Sequence, residues 1–197
     1  MKPIKLSGFE EKFAGNDDPW STWTKPDEVL KRQAILHALN PGPIGRMLEL
    51  GAGNGSNSQA LAARALRLDA TEATAAGTAL VREAITDDDP RARAIQLVVP
   101  AAPPRPAYDA IVIAELLYYL SPRDMRRLAA QVGERLRPGG TLILAHHRIT
   151  FYDFLQHADG IHARFLRQTG SAWSVRDVRK TGRWRVLSCR RVTRSKC

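Results

Sequence analysis

Cysteine is almost missing from this 197-residue chain. Cys189 and Cys197 are its only two copies. They make neither a disulfide framework nor a metal-ligand spacing, so a reducing, cytoplasmic setting is expected. Long apolar runs are missing as well. Nothing approaches the ~20 residues of a membrane-spanning helix, so no membrane partner is expected. The opening Met1-Lys2-Pro3-Ile4-Lys5-Leu6-Ser7-Gly8 has no apolar core of the kind a secretory leader carries. No internal repeat is visible. What remains, 44% hydrophobic and 25% charged residues, is ordinary for a soluble globular protein, and the length suits one domain over residues 1–197.

Acid is scarce at the C-terminal end. Residues 148–197 hold 12 Lys/Arg against 3 Asp/Glu, whereas residues 1–147 hold 18 against 17. Nearly all of the net charge of +10 therefore lies in the last quarter. With Trp173 and Trp184 interleaved, such a segment can present a face to nucleic acid or another polyanion. The reading we prefer places its arginines on the solvent faces of two terminal strands.

Along the chain, residues 1–25 lack periodicity and predict an irregular arm. Asp27 is expected to cap a helix from Glu28 to Leu39, which closes at Asn40-Pro41-Gly42-Pro43. A strand ending at Leu50, a helix from Ser56 to Ala65, a strand from Leu66 to Thr71 and a helix from Ala75 to Ile85 follow. The acidic turn Asp87-Asp88-Asp89-Pro90 precedes a third strand, Ala94 to Val99. The proline-rich loop 100–106 can join neither sheet nor helix. Tyr108 to Ala114 reads as a strand buried on both faces. Ser121-Pro122 opens a helix to Leu136, with serine as cap and proline at the first position. Arg137-Pro138-Gly139-Gly140 turns into a strand from Thr141 to Ala145, and a helix is expected from Phe154 to Gln168. Strands near Ala172–Val178 and Trp184–Val192 form a hairpin about Lys180-Thr181-Gly182. Five strand–helix alternations demand a parallel sheet covered on both faces.

The segment Met47-Leu48-Glu49-Leu50-Gly51-Ala52-Gly53-Asn54-Gly55 decides the class of site. A strand that opens into alternating glycines and then a helix exposes bare backbone to a ligand. Dehydrogenase loops need Gly-x-Gly-x-x-Gly, and Ser56 stands where the third glycine belongs. Glu-x-Gly-x-Gly-x-Gly instead resembles the binding loop of S-adenosylmethionine-dependent methyltransferases. A carboxylate at Glu49 suits a cationic amino group and would repel a pyrophosphate. Ligands of such sheets bind beyond the carboxyl ends of the strands. Glu49, Glu72, Glu115, His146 and His147 all fall there. The third strand offers no acid or amide after Val98-Val99-Pro100 to hold an adenine amino group.

Several blocks occur in order: Asp17-Asp18-Pro19-Trp20, Glu28-x-x-Lys31, the loop from Glu49 to Gly55, Glu115-Leu116-Leu117-Tyr118-Tyr119-Leu120, Arg137-Pro138-Gly139-Gly140 and His157-Ala158-x-Gly160. Together they are similar to the nodulation protein S (NodS) family, S-adenosylmethionine-dependent N-methyltransferases acting on the free amine of a chitooligosaccharide. That resemblance implies a Rossmann-like class I fold, a seven-stranded, mostly parallel sheet of order 3-2-1-4-5-7-6 with a terminal antiparallel hairpin. It implies that residues 1–40, as arm and lid helix, fold over the cofactor. Trp20, Lys31, Glu49, Gly51, Ala52, Gly53, Asn54, Gly55, Glu72 and Glu115 would then hold the cofactor, with Lys31 reaching its carboxylate and Glu72 its ribose hydroxyls. Trp20 as a core anchor and Lys31 as a solvent-facing lysine is the competing reading. Glu115, His147 and His157 are the candidate catalytic groups. A metal held by His157, Asp159 and His162 is a weaker idea, and no metal is expected. The acceptor is read as a small polar amine such as an amino sugar. O-methylation of a small metabolite, methylation of an RNA base, and a cofactor-binding module without catalysis are the alternatives.

Overall fold

The computed structural model describes residues 3–85 and 90–192. The acidic turn Asp87–Asp89 and Cys197 lie outside them. Seven strands form one sheet: β1 (Ile44–Leu50), β2 (Ala65–Glu72), β3 (Ala92–Gln96), β4 (Tyr108–Ala114), β5 (Leu136–His147), β6 (Trp173–Lys180) and β7 (Trp184–Arg191). Their order is 3-2-1-4-5-7-6. Strands β1 to β5 run parallel, while β7 is antiparallel to both β5 and β6. The order reverses between β1 and β4, which opens a crevice at their carboxyl ends. This is the class I methyltransferase sheet.

Six helices cover it: α1 (Leu6–Gly15), α2 (Pro26–Ala38), α3 (Ser56–Ala62), α4 (Ala75–Ala84), α5 (Pro122–Arg135) and α6 (Ile161–Gln168). Two apolar layers result. One joins α5, α6 and the segment after β4 to the sheet through Leu128, Val132, Phe165, Ile111 and Leu144; the other joins α2 and α4 through Ile35, Val81, Met47 and Val112. β1 and β4 carry almost uninterrupted apolar runs because both of their faces are covered.

The structure corrects five expectations. Residues 6–15 of the arm are helical, held by the buried Phe13 and by Glu10, which accepts from Ala75 N and Ala76 N at the start of α4. α2 is capped at Lys25 with Pro26 in its first turn; Asp27 instead lies 3.2 Å from Arg183. β3 begins and ends earlier than expected, at Ala92 and Gln96. Arg137–Gly140 is no separate turn but an excursion within β5, between the pairs Tyr108–Leu136 and Ala110–Thr141. No helix begins at Phe154: α6 starts at Ile161, after Gly160 at φ +66°, because Phe154 is stacked on Tyr118 at 3.6 Å.

Candidate functional site

The glycine loop between β1 and α3 owes its shape to backbone conformations that L side chains rarely adopt. Gly51, Gly53 and Gly55 have φ of +70°, +61° and +81°. At Gly55 a Cβ would also lie 2.5 Å from Ala84 Cβ, because α4 packs directly against the turn. This bare loop lies between two buried carboxylates. Glu72, at the end of β2, accepts from Gly53 N at 3.0 Å through one oxygen and from Thr74 N and Thr74 Oγ1, both at 3.1 Å, through the other. Glu49, one strand away, accepts from Ser58 Oγ at 2.6 Å.

The two acids are electrostatically unequal. Burial pushes the Glu49 carboxyl up to about 8; the Ser58 bond opposes the rise and the neighbouring Glu72 adds to it. Burial also raises Glu72, but several hydrogen-bond donors work against it. Taking a carboxylate out of water with one hydroxyl donor is unfavourable. A cation arriving at this point would stabilise both charges.

The arm closes over the loop. Asp18 accepts from Thr22 N at 2.6 Å and from Thr22 Oγ1 and Asn54 Nδ2, both at 2.9 Å. Asn54 Nδ2 also donates to Asp17 O at 3.1 Å, and Thr22 Oγ1 lies 2.9 Å from Asn54 Oδ1. Asn54, a loop residue, thereby fastens the arm. Trp20 packs edge-on against Phe13 at 5.3 Å between ring centroids, with Lys12 over its ring at 5.8 Å. It is 36% exposed, so it is only partly the core anchor that was the competing reading.

A second cluster occupies the ends of β4 and β5. Glu115 has φ +53°, a left-handed conformation that costs of the order of 1–3 kcal/mol in a non-glycine residue. Its Oε1 lies 2.6 Å from Lys31 Nζ, which lies 2.8 Å from Glu28 Oε2. Lys31 is thus 3% exposed and neutralised by carboxylates of this chain, not solvent-facing. Tyr118 OH donates to Glu115 Oε2. His147 Nδ1 is 3.3 Å from Arg183 O, an atom that only accepts, so Nδ1 carries the proton. Its Nε2 faces Glu28 at 3.9 Å and Glu115 at 3.8 Å. Burial works against the charge of Glu115, yet the Lys31 ammonium against it holds its carboxyl below the usual range. Burial likewise opposes the charge of Lys31, and Glu115 and Glu28 outweigh it, raising the ammonium above its ordinary value.

The remaining candidates lie elsewhere. His157 is exposed on the loop before α6, and its carbonyl accepts from Arg164. His162 is buried against His146, so His157, Asp159 and His162 do not converge. Among the described residues no group of three or more His, Cys, Asp or Glu is placed to hold a metal. The two tryptophans of the basic quarter turn inward: Trp184 is buried, and Trp173 donates to Thr169 Oγ1 at 2.9 Å. No helix among the described residues is long and apolar enough to cross a membrane. Reading the residues singly missed Asp18 and Thr22 as partners of Asn54, although Asp18 stands inside the Asp-Asp-Pro-Trp block.

Comparison with known proteins agrees with this geometry. A methyltransferase domain matches residues 47–140. Nodulation protein S of Rhizobium tropici is 34% identical over 144 residues, 67% of this chain and 56% of that protein, so the match spans little more than half of its length. The crystal structure of the N-methyltransferase NodS from Bradyrhizobium japonicum, in complex with S-adenosyl-L-homocysteine, superposes with a TM-score of 0.81 at 19% identity, covering 94% of this chain and 97% of that one. A phosphoethanolamine N-methyltransferase from Haemonchus contortus gives a TM-score of 0.67 at 15% identity over 98% of this chain and 51% of its own. On its loop, its sheet order and these likenesses, the chain has the class I methyltransferase fold with a methyltransferase domain over residues 47–140, and it is similar to the NodS N-methyltransferases.

Proposed function

We propose that the protein moves the methyl group of S-adenosylmethionine to an amine on a small polar acceptor, with an amino sugar of the chitooligosaccharide kind as the favoured class. The observation that carries this reading is the cluster of Glu28, Lys31, Glu115 and His147 at the strand ends beside the glycine loop. Two carboxylates against one obligate cation leave a negative excess that draws an amine into the cleft. The NodS relative, an N-methyltransferase, supports the same choice.

The residues present fit the cofactor. Glu49 is a buried acid short of partners, suited to a cationic amino group. Glu72 Oε2 accepts from Gly53 N and keeps acceptor capacity for a ribose hydroxyl. When bound, the cofactor supplies an electrophilic methyl on sulfur. The chain supplies alignment, which is the main source of rate in such a transfer. The cleft residues would hold the acceptor nitrogen in line with that methyl, which it would take as the electron pair of the sulfur–carbon bond stays with sulfur. The product ammonium then yields a proton, and His147 is the base we assign to it. Glu28 and Glu115 both lie within 4 Å of His147 Nε2. Lys31 we assign to holding Glu115, in place of a direct bond to the cofactor carboxylate. His157 has no part in this assignment. A cytoplasmic setting remains our reading, in line with a buried, free Cys189.

Radiolabelled S-adenosylmethionine with chitobiose carrying one free amine, and with fully N-acetylated chitobiose, tests the acceptor class. Label is expected on the first sugar only. Equal labelling of both would move the reading to oxygen, and label on neither would remove the amino sugar.

A further inference from the structure

β5 ends on two histidines, and the first faces away from the cleft. His146 is buried, edge-on to Tyr118 at 5.5 Å and to His162 at 5.0 Å between ring centroids. Its Nε2 lies 3.3 Å from Leu116 N and 3.2 Å from Leu117 N. Both of these are donors, so Nε2 is the bare, accepting nitrogen. In a neutral ring the proton then sits on Nδ1, which lies 3.0 Å from His162 Nε2. That nitrogen must accept, and His162 in turn carries its proton on Nδ1. One arrangement satisfies all three contacts: two neutral rings, each protonated on Nδ1.

Leu116 and Leu117 open the 3-10 turn (Leu117–Tyr119) that follows Glu115. Their N–H groups point out of the start of that turn, where no backbone acceptor is available, and the His146 ring receives them. Glu115 sits immediately before, in the left-handed conformation that aims its carboxylate at Lys31. Strain of this kind persists only where the surroundings hold it.

We propose that His146, oriented by His162, is a positioning residue that locks the turn after β4 and so keeps Glu115 aimed at Lys31 and His147. The proposal rests on the reading of Glu115 given above. Charged and titratable groups face the pair from each neighbouring element: Lys31 from α2, Glu115 and Tyr118 from the segment after β4, His147 on β5, Arg185 on β7 and Asp177 on β6. Burial depresses both imidazoles, His146 well below its ordinary range and His162 to about 4. Both therefore remain neutral at pH 7, where Glu115 is charged.

Long-range proton–nitrogen correlation spectra of the full chain read the tautomers directly. Both rings are expected neutral with Nδ1 protonated at pH 7, against the Nε2–H form that histidine prefers in water. A His146 ring protonated on Nε2 at that pH overturns the proposal. Activity gives the second readout, with singly de-N-acetylated chitobiose as the probe. His146→Phe and His162→Phe are expected to lower kcat roughly tenfold, with S-adenosylhomocysteine binding changed less than about twofold. His146→Gln, whose amide oxygen accepts the same N–H groups, is expected to recover part of the loss. Where a phenylalanine variant does not fold, the tautomer spectra of the unaltered protein decide. Undiminished kcat in folded H146F contradicts the positioning role, whereas undiminished kcat in E115Q contradicts the reading on which it rests.

Discussion

At the scale of the residue, the site is a set of buried charges whose balance depends on pH. Glu49 has the clearest sign. Its carboxyl lies near 8 in the folded chain against 4.5 in the reference state. Its stabilising contribution is therefore complete below the lower value and lost as pH rises through the upper one. Between pH 5 and 8 the protein is expected to lose stability relative to Glu49→Gln, as followed by thermal unfolding without cofactor. Cofactor binding works in the opposite direction. A cation beside Glu49 expels its proton, so affinity for S-adenosylmethionine should rise from pH 6 to 8 by up to about tenfold per unit. Calorimetry should show that slope flattened in E49Q. An unchanged affinity and slope in the variant would remove Glu49 from the site. Lys31 supplies the converse case. Lys31→Met leaves Glu28 and Glu115 without their cation, and a loss of about 3 kcal/mol at pH 7 is expected. Urea unfolding should show the deficit shrinking as pH falls and the two acids take up protons. Glu49 and Glu72 were legible as acids beside the glycine loop because each lies at the carboxyl end of a strand. The strain at Glu115 and the proton positions on His146 were not, since both are set by groups sixteen or more positions away.

At the scale of the element, the glycine turn and the arm over it depend on each other. α1 was invisible in the sequence because ten residues with Gly8 inside make a marginal helix. It forms because Phe13 is buried beneath Trp20 and because Glu10 occupies the positive N-terminus of α4. Its support is tertiary, and local propensity carries no trace of that. The helix expected from Phe154 failed for the same reason in reverse: the stack on Tyr118 holds that residue in a loop. Asn54→Ala removes the loop's bonds to Asp17, Asp18 and Thr22. It is expected to weaken S-adenosylhomocysteine binding roughly tenfold and to speed proteolysis within the first 25 residues. Binding and cleavage equal to the unaltered protein would show that the arm closes without this fastening. Gly55→Ala meets both a left-handed backbone and Ala84, and a loss of about 2–4 kcal/mol is expected in urea unfolding.

At the scale of the whole molecule, alternation of strands and helices carried the architecture. Five strands, separated by helical segments except for the proline-rich loop between β3 and β4, admit few parallel arrangements, and the terminal hairpin selects the inserted antiparallel strand. Tyr108–Ala114 was legible to the residue, because the five apolar residues after Asp109 fit a strand covered on both faces. The excursion at Arg137–Gly140 was not, since pairing on either side of it continues with β4. The basic last quarter is divided by the fold. Arg185 binds Asp177, Arg183 binds Asp27, and Trp184 lies in the core, where it offers no platform to a nucleic-acid base. Retention on RNA at low ionic strength is accordingly expected to be weak.

The central claim is that the cleft at the ends of β1, β4 and β5 directs a sulfonium methyl to nitrogen. The most direct measurement is a single turnover with S-adenosylmethionine carrying a carbon-13 methyl and chitobiose with one free amine, read by NMR of the sugar product. The label is predicted on the amine nitrogen, with the yield abolished in E49Q and strongly reduced in E115Q. Label on a sugar oxygen, or label left on sulfur while the cofactor binds normally, would contradict the account.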